Sequence, residues 1–188
     1  MIAKRDARLG VPATITDLTL ALGLVGLDVI ARLVPHMPNF TPMAASALFA
    51  GAILRSSALA FVVPLAAMVL GDAVLGFYDW RVMVVVYAAI AMPAVFGVFV
   101  RRSTTPLLAL PLAVTSSVVF FVATNWAVWM FSGIYARDTG GLLKCYLAAI
   151  PFFQNTLLGD LVWTAILFGL LWAWRAIPQS RRSRRLAA

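Results

Sequence analysis

Residues 35–54 read PHMPNFTPMAASALFAGAIL. Three prolines in the first eight residues exclude a regular helix there, because proline has no backbone N–H and its ring clashes with the preceding turn. The apolar run that follows, residues 43–54, contains only twelve residues. Twelve helical residues cover about 18 Å, well short of the ~30 Å hydrocarbon core of a bilayer. We therefore expect a loop that descends into the outer membrane zone to meet a short helix.

An irregular loop at this depth predicts a cavity. Inside a bilayer, such backbone is tolerated only where protein buries it or where it lines a water-filled space. Thr41 is predicted as the N-cap of the short helix and Pro42 as a first-turn residue. The positive end of the helix dipole would then point into the cavity. The alternative is a plain surface loop followed by a short tilted helix.

The composition of the chain is that of a membrane protein. Of its 188 residues, 63% are apolar and 12% are charged, whereas soluble domains contain roughly 45–50% and ~25%. This excludes a soluble enzyme, a secreted disulfide-stabilised module and a disordered tail. A single cysteine excludes an internal disulfide, and a single histidine excludes a bis-histidine haem site within one chain.

The apolar stretches predict an all-α integral membrane protein with six transmembrane helices, of which the second is short. One transmembrane domain, 15–174, lies between an N-terminal segment, 1–14, and a basic tail, 175–188. A short interfacial helix is predicted over 139–151, between the fifth and sixth spans. The predicted spans are 15–33, 43–54, 57–75, 82–100, 106–131 and 152–174.

The basic residues predict that both termini are cytoplasmic. With the N-terminus inside, eleven of the fifteen bases lie at cytoplasmic helix ends, and an excess of Lys and Arg in short loops marks the cytoplasmic side. The run Arg181–Arg185 is interpreted as an anchor on anionic lipid rather than a nucleic-acid patch. The other four bases, at the outer ends, are Arg32, Arg81, Arg137 and Lys144.

The outer halves of the predicted spans hold most of the polar and aromatic side chains, so we expect ligand recognition to face outward. An aromatic belt at the interface explains part of the set, but not its aspartates and asparagines. The candidate ligand-binding residues are His36, Asn39, Phe40, Thr41, Asp72, Tyr78, Trp80, Asn125, Trp129, Tyr135, Cys145, Asn155 and Asp160.

Four aspartates lie within the predicted spans, and three of them, Asp28, Asp72 and Asp160, would each cost up to ~2.5–3.5 kcal/mol of insertion free energy. Asp28 is four residues before Arg32, and this spacing predicts a structural ion pair. Asp72 and Asp160 each follow a glycine, which permits close helix approach. They either bond neighbouring helix ends or line a pocket.

The second helix contains the small-residue pattern Ala47-x-x-x-Gly51. Such a pattern permits close approach of two helix backbones. It predicts tight packing within the bundle, and the alternative is a docking face for another membrane subunit.

Several motifs together resemble a family of small bacterial six-helix membrane proteins, over about residues 28–170. They are PNFTP at 38–42, ALFAG at 47–51, Gly71-Asp72, Gly76-Phe77, TNWAVW at 124–129, Cys145-Tyr146 and PFFQNTLLGD at 151–160. That family is similar to the substrate-binding S components of energy-coupling-factor (ECF) vitamin transporters, with the cobalamin-type members nearest. The resemblance implies a bacterial inner-membrane protein with an outward-facing pocket that takes up a vitamin or related molecule.

Two features bear on partners and ligand. The first helix lacks the Ala-x-x-x-Ala pattern that S components often use to join a shared energising module. Two possibilities therefore stay open: the protein works with ECF-type ATPase and coupling subunits, or it acts alone. No metal site and no covalently bound cofactor are predicted. A corrinoid is the leading ligand, with Cys145 beside Lys144 as a candidate thiolate for its cobalt. The alternative for Cys145 is inert packing.

Three functions compete: a transporter subunit, a structural or assembly subunit of a larger membrane complex, and an intramembrane enzyme. The chain contains no Gly-x-x-x-x-Gly-Lys-Ser/Thr motif, so it holds no P-loop for ATP. It offers no paired catalytic set. We therefore expect a substrate-binding subunit that is not an enzyme and binds no nucleic acid.

Overall fold

The computed structural model describes residues 13–101 and 106–176, and within these ranges the chain is all-helical. The predicted basic run Arg181–Arg185 lies outside the described residues. The helices are α1 (Ala13–Leu33), α2 (Met43–Ile53), α3 (Ser57–Leu75), α4 (Trp80–Phe99), α5 (Pro106–Phe131) and α6 (Thr139–Ala176).

Four of the described helices, α3 to α6, are long and apolar enough to cross a membrane. Helix α1 has 21 residues but carries Asp17, Asp28 and Arg32, and α2 has only 11 residues. The predictions of membrane-protein character, of six helices and of a short second helix are thus confirmed for the described residues, whereas only four of the six predicted spans are long and apolar enough to cross a membrane.

The shortest helix lies at the centre of the bundle. Helix α2 contacts each of the other five helices, and every residue from Met43 to Ala52 is buried. Gly51 meets Gly97 of α4 backbone to backbone: a Cβ built on Gly51 would lie 2.9 Å from Gly97 Cα, and one built on Gly97 would lie 2.8 Å from Gly51 Cα. The small-residue pattern of α2 therefore serves packing within the bundle.

Arg101 fixes the end of α2. Its Nε donates to the Gly51 carbonyl (2.9 Å), and its two Nη atoms donate to the Arg55 carbonyl (3.2 Å) and the Ser57 hydroxyl (3.0 Å). These bonds satisfy carbonyls that a helix end and the following turn leave unpaired. We call this end of the bundle the Arg101 end, and the opposite end, where α1 finishes, the Arg32 end.

Helix α6 corrects one prediction. Residues 139–176 form a single helix of 38 residues, about 57 Å long, instead of an interfacial helix followed by a separate span. Pro151 lies inside it, as Pro64, Pro93 and Pro111 lie inside α3, α4 and α5. In an apolar environment the chain has no water to replace helical hydrogen bonds, so a helix continues through a proline that would end it in water.

Candidate functional site

A cavity of about 280 Å³ lies beyond the N-terminus of α2, at the Arg32 end. Helix α2 is about 16 Å long, roughly half the thickness of the hydrocarbon core, so it fills only part of the space between its neighbours. All six helices contribute to the wall. Its residues are Arg32, His36, Asn39, Thr41, Met43, Ala44, Met68, Leu75, Tyr78, Val86, Ile90, Phe120, Thr156 and Asp160.

The loop between α1 and α2 forms one side of the cavity, as the prolines predict. Asn39 has φ of 64°, in the left-handed region that asparagine tolerates better than most residues. The Phe40 N–H donates to the Met37 carbonyl (3.0 Å), which closes a tight turn. Gly159 of α6 admits the loop, since a Cβ there would lie 3.2 Å from Phe40 Cα.

The predicted cap of α2 is wrong. Pro42, rather than Thr41, occupies the N-cap position, and no side chain caps the helix. Thr41 instead lines the cavity. Proline suits the start of a helix because its nitrogen carries no hydrogen, and a backbone N–H at this position would have no partner within the helix.

Arg32 pairs with Asp72, and the predicted Asp28–Arg32 pair is absent. Arg32 Nη2 donates to Asp72 Oδ1 at 2.6 Å, and Arg32 Nη1 lies 2.9 Å from Met68 Sδ. Tyr87 of α4 donates its hydroxyl to Asp72 Oδ2 at 2.7 Å. The carboxylate therefore has a cation and a hydroxyl as partners, and α1, α3 and α4 are joined beside the cavity.

Gly71 leaves room for this pair. A Cβ at position 71 would lie 3.1 Å from the Arg32 guanidinium. The glycine before Asp72 thus admits an arginine side chain from α1, which refines the expectation of close helix approach.

Asp28 lies fully buried in the bundle without its expected partner. Neither of its carboxyl oxygens, nor the buried Ser46 hydroxyl, has a hydrogen-bond partner among residues 13–101 and 106–176. Because Arg32 pairs with Asp72, the Asp28 carboxyl group is buried among apolar side chains without a cationic partner in this part of the chain.

Asp160 lines the cavity and is only 4% exposed. Its Oδ2 lies 2.6 Å from the hydroxyl of Ser117, which is itself buried in α5. No basic side chain in the described part of the chain forms an ion pair with Asp160. Of the two alternatives weighed for this residue, the pocket is the one observed.

Tyr78 closes the cavity from the loop between α3 and α4. Burial raises the pKa of Tyr78 to about 12, and the nearby Asp72 carboxylate adds to the shift. Tyr78 is therefore a neutral phenol near pH 7. The next residue, Asp79, faces water and is held by Arg81, whose Nη2 donates to Asp79 Oδ2 at 2.7 Å and thereby lowers the Asp79 pKa to about 2.

A second cavity, of about 130 Å³, adjoins the first. Asn39, Phe120 and Thr156 face both cavities, and Asn125 lines only the smaller one. Asn125 Nδ2 donates to the Phe121 carbonyl at 2.8 Å, one turn earlier in α5.

Several predicted binding residues lie away from both cavities. Trp80 is 69% exposed on the outside of α4. Trp129 Nε1 donates to the Ala136 carbonyl at 2.9 Å. The Cys145 thiol is buried and donates to the Asn125 carbonyl at 3.4 Å, as a packing residue would. The remaining members of this group are Phe40, Tyr135 and Asn155, while Asp72 reaches the site through Arg32.

Other wall residues were not predicted. Arg32, Met68, Phe120 and Thr156 line the larger cavity. Thr156 carries a usable signal, since it precedes Asp160 by four residues and therefore shares its helix face. Within the described residues, no group of His, Cys, Asp or Glu side chains could hold a metal ion.

Comparison with known proteins gives one match. No curated protein and no solved structure matches the chain. The model of one family, described as a family of unknown function (DUF6580), matches residues 13–181. Because this range covers most of the 188 residues, the chain belongs to that family.

Proposed function

We propose that the protein is a substrate-binding membrane subunit for the uptake of a vitamin or related small molecule, with the Arg32 end facing outward from a bacterial inner membrane. The observation that supports this most strongly is the cavity, in which Arg32, His36, Asn39, Thr41 and Asp160 converge within a mostly apolar bundle. Charged groups inside a membrane domain are costly and are usually retained for function.

The cavity has the character of a small-molecule site. Such sites are concave and mostly apolar, with a few polar groups that fix orientation, and they typically measure about 300–1,000 Å³. At about 280 Å³ this cavity lies at the lower end. A ligand the size of a single ring system fits this volume better than an intact corrinoid.

The position of Cys145 also weakens the corrinoid hypothesis. The thiol lines neither cavity and is occupied with the Asn125 carbonyl. We therefore propose a ligand smaller than a corrinoid, and Cys145→Ser should leave its binding unchanged.

The energy source belongs to the same proposal. The resemblance to ECF S components favours separate ATPase and coupling subunits, and the missing Ala-x-x-x-Ala in α1 favours action alone. In α1, Ala21 is buried in the core, whereas Gly23 and Gly26 have open space around them.

A thermal-shift screen of the purified protein against vitamins and their precursors tests the proposal, because a ligand stabilises the fold by RT ln(1 + [L]/Kd). Val86→Phe narrows the cavity and should abolish the shift. Val84→Phe makes the same change on the same helix, but at a side chain that is 60% exposed and away from the cavity. It should preserve the shift.

The outcomes separate the two leading functions. A stabilising ligand that responds to Val86→Phe but not to Val84→Phe supports the binding subunit. Absence of any ligand response, together with a stoichiometric partner that co-purifies from native membranes, would favour the structural or assembly subunit.

A further inference from the structure

The larger cavity has more acidic groups in and beside its wall than Arg and Lys side chains. Arg32 is the one Arg or Lys side chain in the wall, and its charge is matched by Asp72 at 2.6 Å. Asp160 adds a second acidic group, for which the described residues supply no cation. The other titratable wall groups are Tyr78, a neutral phenol, and His36, whose Nδ1 donates to the Val34 carbonyl at 2.6 Å.

Asp160 is placed so that a ligand in the cavity can reach it. The carboxylate is almost wholly removed from solvent, with one hydroxyl contact from Ser117. Burying an unpaired carboxylate is strongly unfavourable, whereas a buried carboxylate that meets an opposite charge at close range is stabilised. The basic side chain in the same wall, Arg32, is held by Asp72 and forms no ion pair with Asp160.

We propose that the ligand is a small organic cation, carrying a protonated amine or a cationic heterocycle, whose charge pairs with Asp160. This inference rests on the proposed function and specifies the chemical class of its substrate. The two aromatic wall residues, Tyr78 and Phe120, suit it, since aromatic faces attract cations.

One feature of the site opposes a cation. The N-terminus of α2 reaches the cavity through Met43 and Ala44, and a helix N-terminus carries about half a positive charge. An ionised Asp160 carries a full negative charge, which exceeds this contribution, and a cation bound beside it favours that ionised form. The cavity as a whole therefore favours positive charge.

The test uses three probes that share an aromatic ring and differ in charge: phenethylamine, 2-phenylethanol and phenylacetate. They are added to the vitamin screen on the full-length protein. Phenethylamine should raise the Tm, and the neutral and anionic analogues should not. In Asp160→Asn, which keeps the shape and removes the charge, phenethylamine should bind at least tenfold more weakly.

Asp79→Asn is the matched control, because it makes the same change at an exposed acid outside the cavity wall. It should leave phenethylamine binding unchanged. Equal binding of phenethylamine to wild type and Asp160→Asn would overturn the inference. So would a screen whose stabilising compounds are all neutral or anionic, although the proposed function would then stand. If no compound of any charge stabilises the protein, the proposed function fails as well.

Discussion

Asp72 bonds a guanidinium from α1 and a hydroxyl from α4, and this predicts a strongly damaging substitution. Asp72→Asn would leave the Arg32 guanidinium, whose side chain is only 16% exposed, without its counter-charge. Removal of one member of a buried pair typically costs about 3–5 kcal/mol. Chemical unfolding in detergent should show a loss of stability on this order. The double variant Arg32→Met, Asp72→Leu should recover most of it, because the unpaired charge is gone.

The exposed pair Asp79–Arg81 provides the control. Asp79→Asn removes a contact that is also short, 2.7 Å, but lies in water. Surface ion pairs contribute little, so the unfolding curve should hardly move. If Asp72→Asn were as mild as Asp79→Asn, the buried ion pair would not be present in the protein.

Asp28 predicts the opposite behaviour. It has no counter-charge and no hydrogen-bond partner among the described residues, so Asp28→Asn breaks no ion pair. The free energy of unfolding should stay within about 1 kcal/mol of the wild-type value. The same unfolding assay checks this. A loss of stability as large as that of Asp72→Asn would instead support the Asp28–Arg32 ion pair that the sequence spacing predicts.

At the scale of the helices, the close contact of α2 with α4 at Gly51 and Gly97, which we call the α2–α4 seam, can be tested by a single substitution. Gly51→Ala would press a methyl group into Gly97 and the α4 backbone. Because backbone cannot rotate away, the cost should be about 1–3 kcal/mol or more. Gly23→Ala in α1 meets nothing within 4 Å, and it should be neutral or stabilising by up to about 1 kcal/mol. Equal effects in thermal unfolding would contradict the seam.

The continuity of α6 through Pro151 can be tested by measuring the distance between two labelled positions on either side of it. Leu143 and Leu170 are 60% and 66% exposed, so spin labels at these positions should not disturb packing. In a Cys145→Ser background, one continuous helix places the two backbone positions roughly 40 Å apart. A perpendicular interfacial helix ending at Pro151 would shorten this to about 31 Å. Electron–electron double resonance distinguishes the two lengths.

For the whole molecule, cysteine accessibility tests the proposed orientation. In the same Cys145→Ser background, Arg137→Cys should react with a membrane-impermeant maleimide in intact cells, because it lies at the proposed outer end. Ser180→Cys, beyond α6, should react only after the cells are opened. The reverse pattern would place the cavity on the cytoplasmic side and remove the basis for uptake.

The sequence predicts the positions of the first five helices and the loop of the cavity, but it divides α6 at Pro151 and fails where partners must be chosen. The prolines and the short apolar run correctly placed His36, Asn39 and Thr41 beside a cavity. The partner of Arg32 was missed because the true one is 40 residues away, while Asp28 is one turn away. Phe120 and Met68 were missed because a helix that is apolar all round does not reveal its inner face.

The seam between α2 and α4 also bears on how the family can diverge. Gly51 and Gly97 each exclude a side chain at the other, so neither position can accept a larger residue unless the helices separate. Most of the cavity wall comes from other segments, including the α1–α2 loop, α5 and α6. Descendants of a common ancestor can therefore exchange ligand-contacting residues while this pair of glycines stays fixed. Natural selection could change what the protein recognises without rebuilding its scaffold.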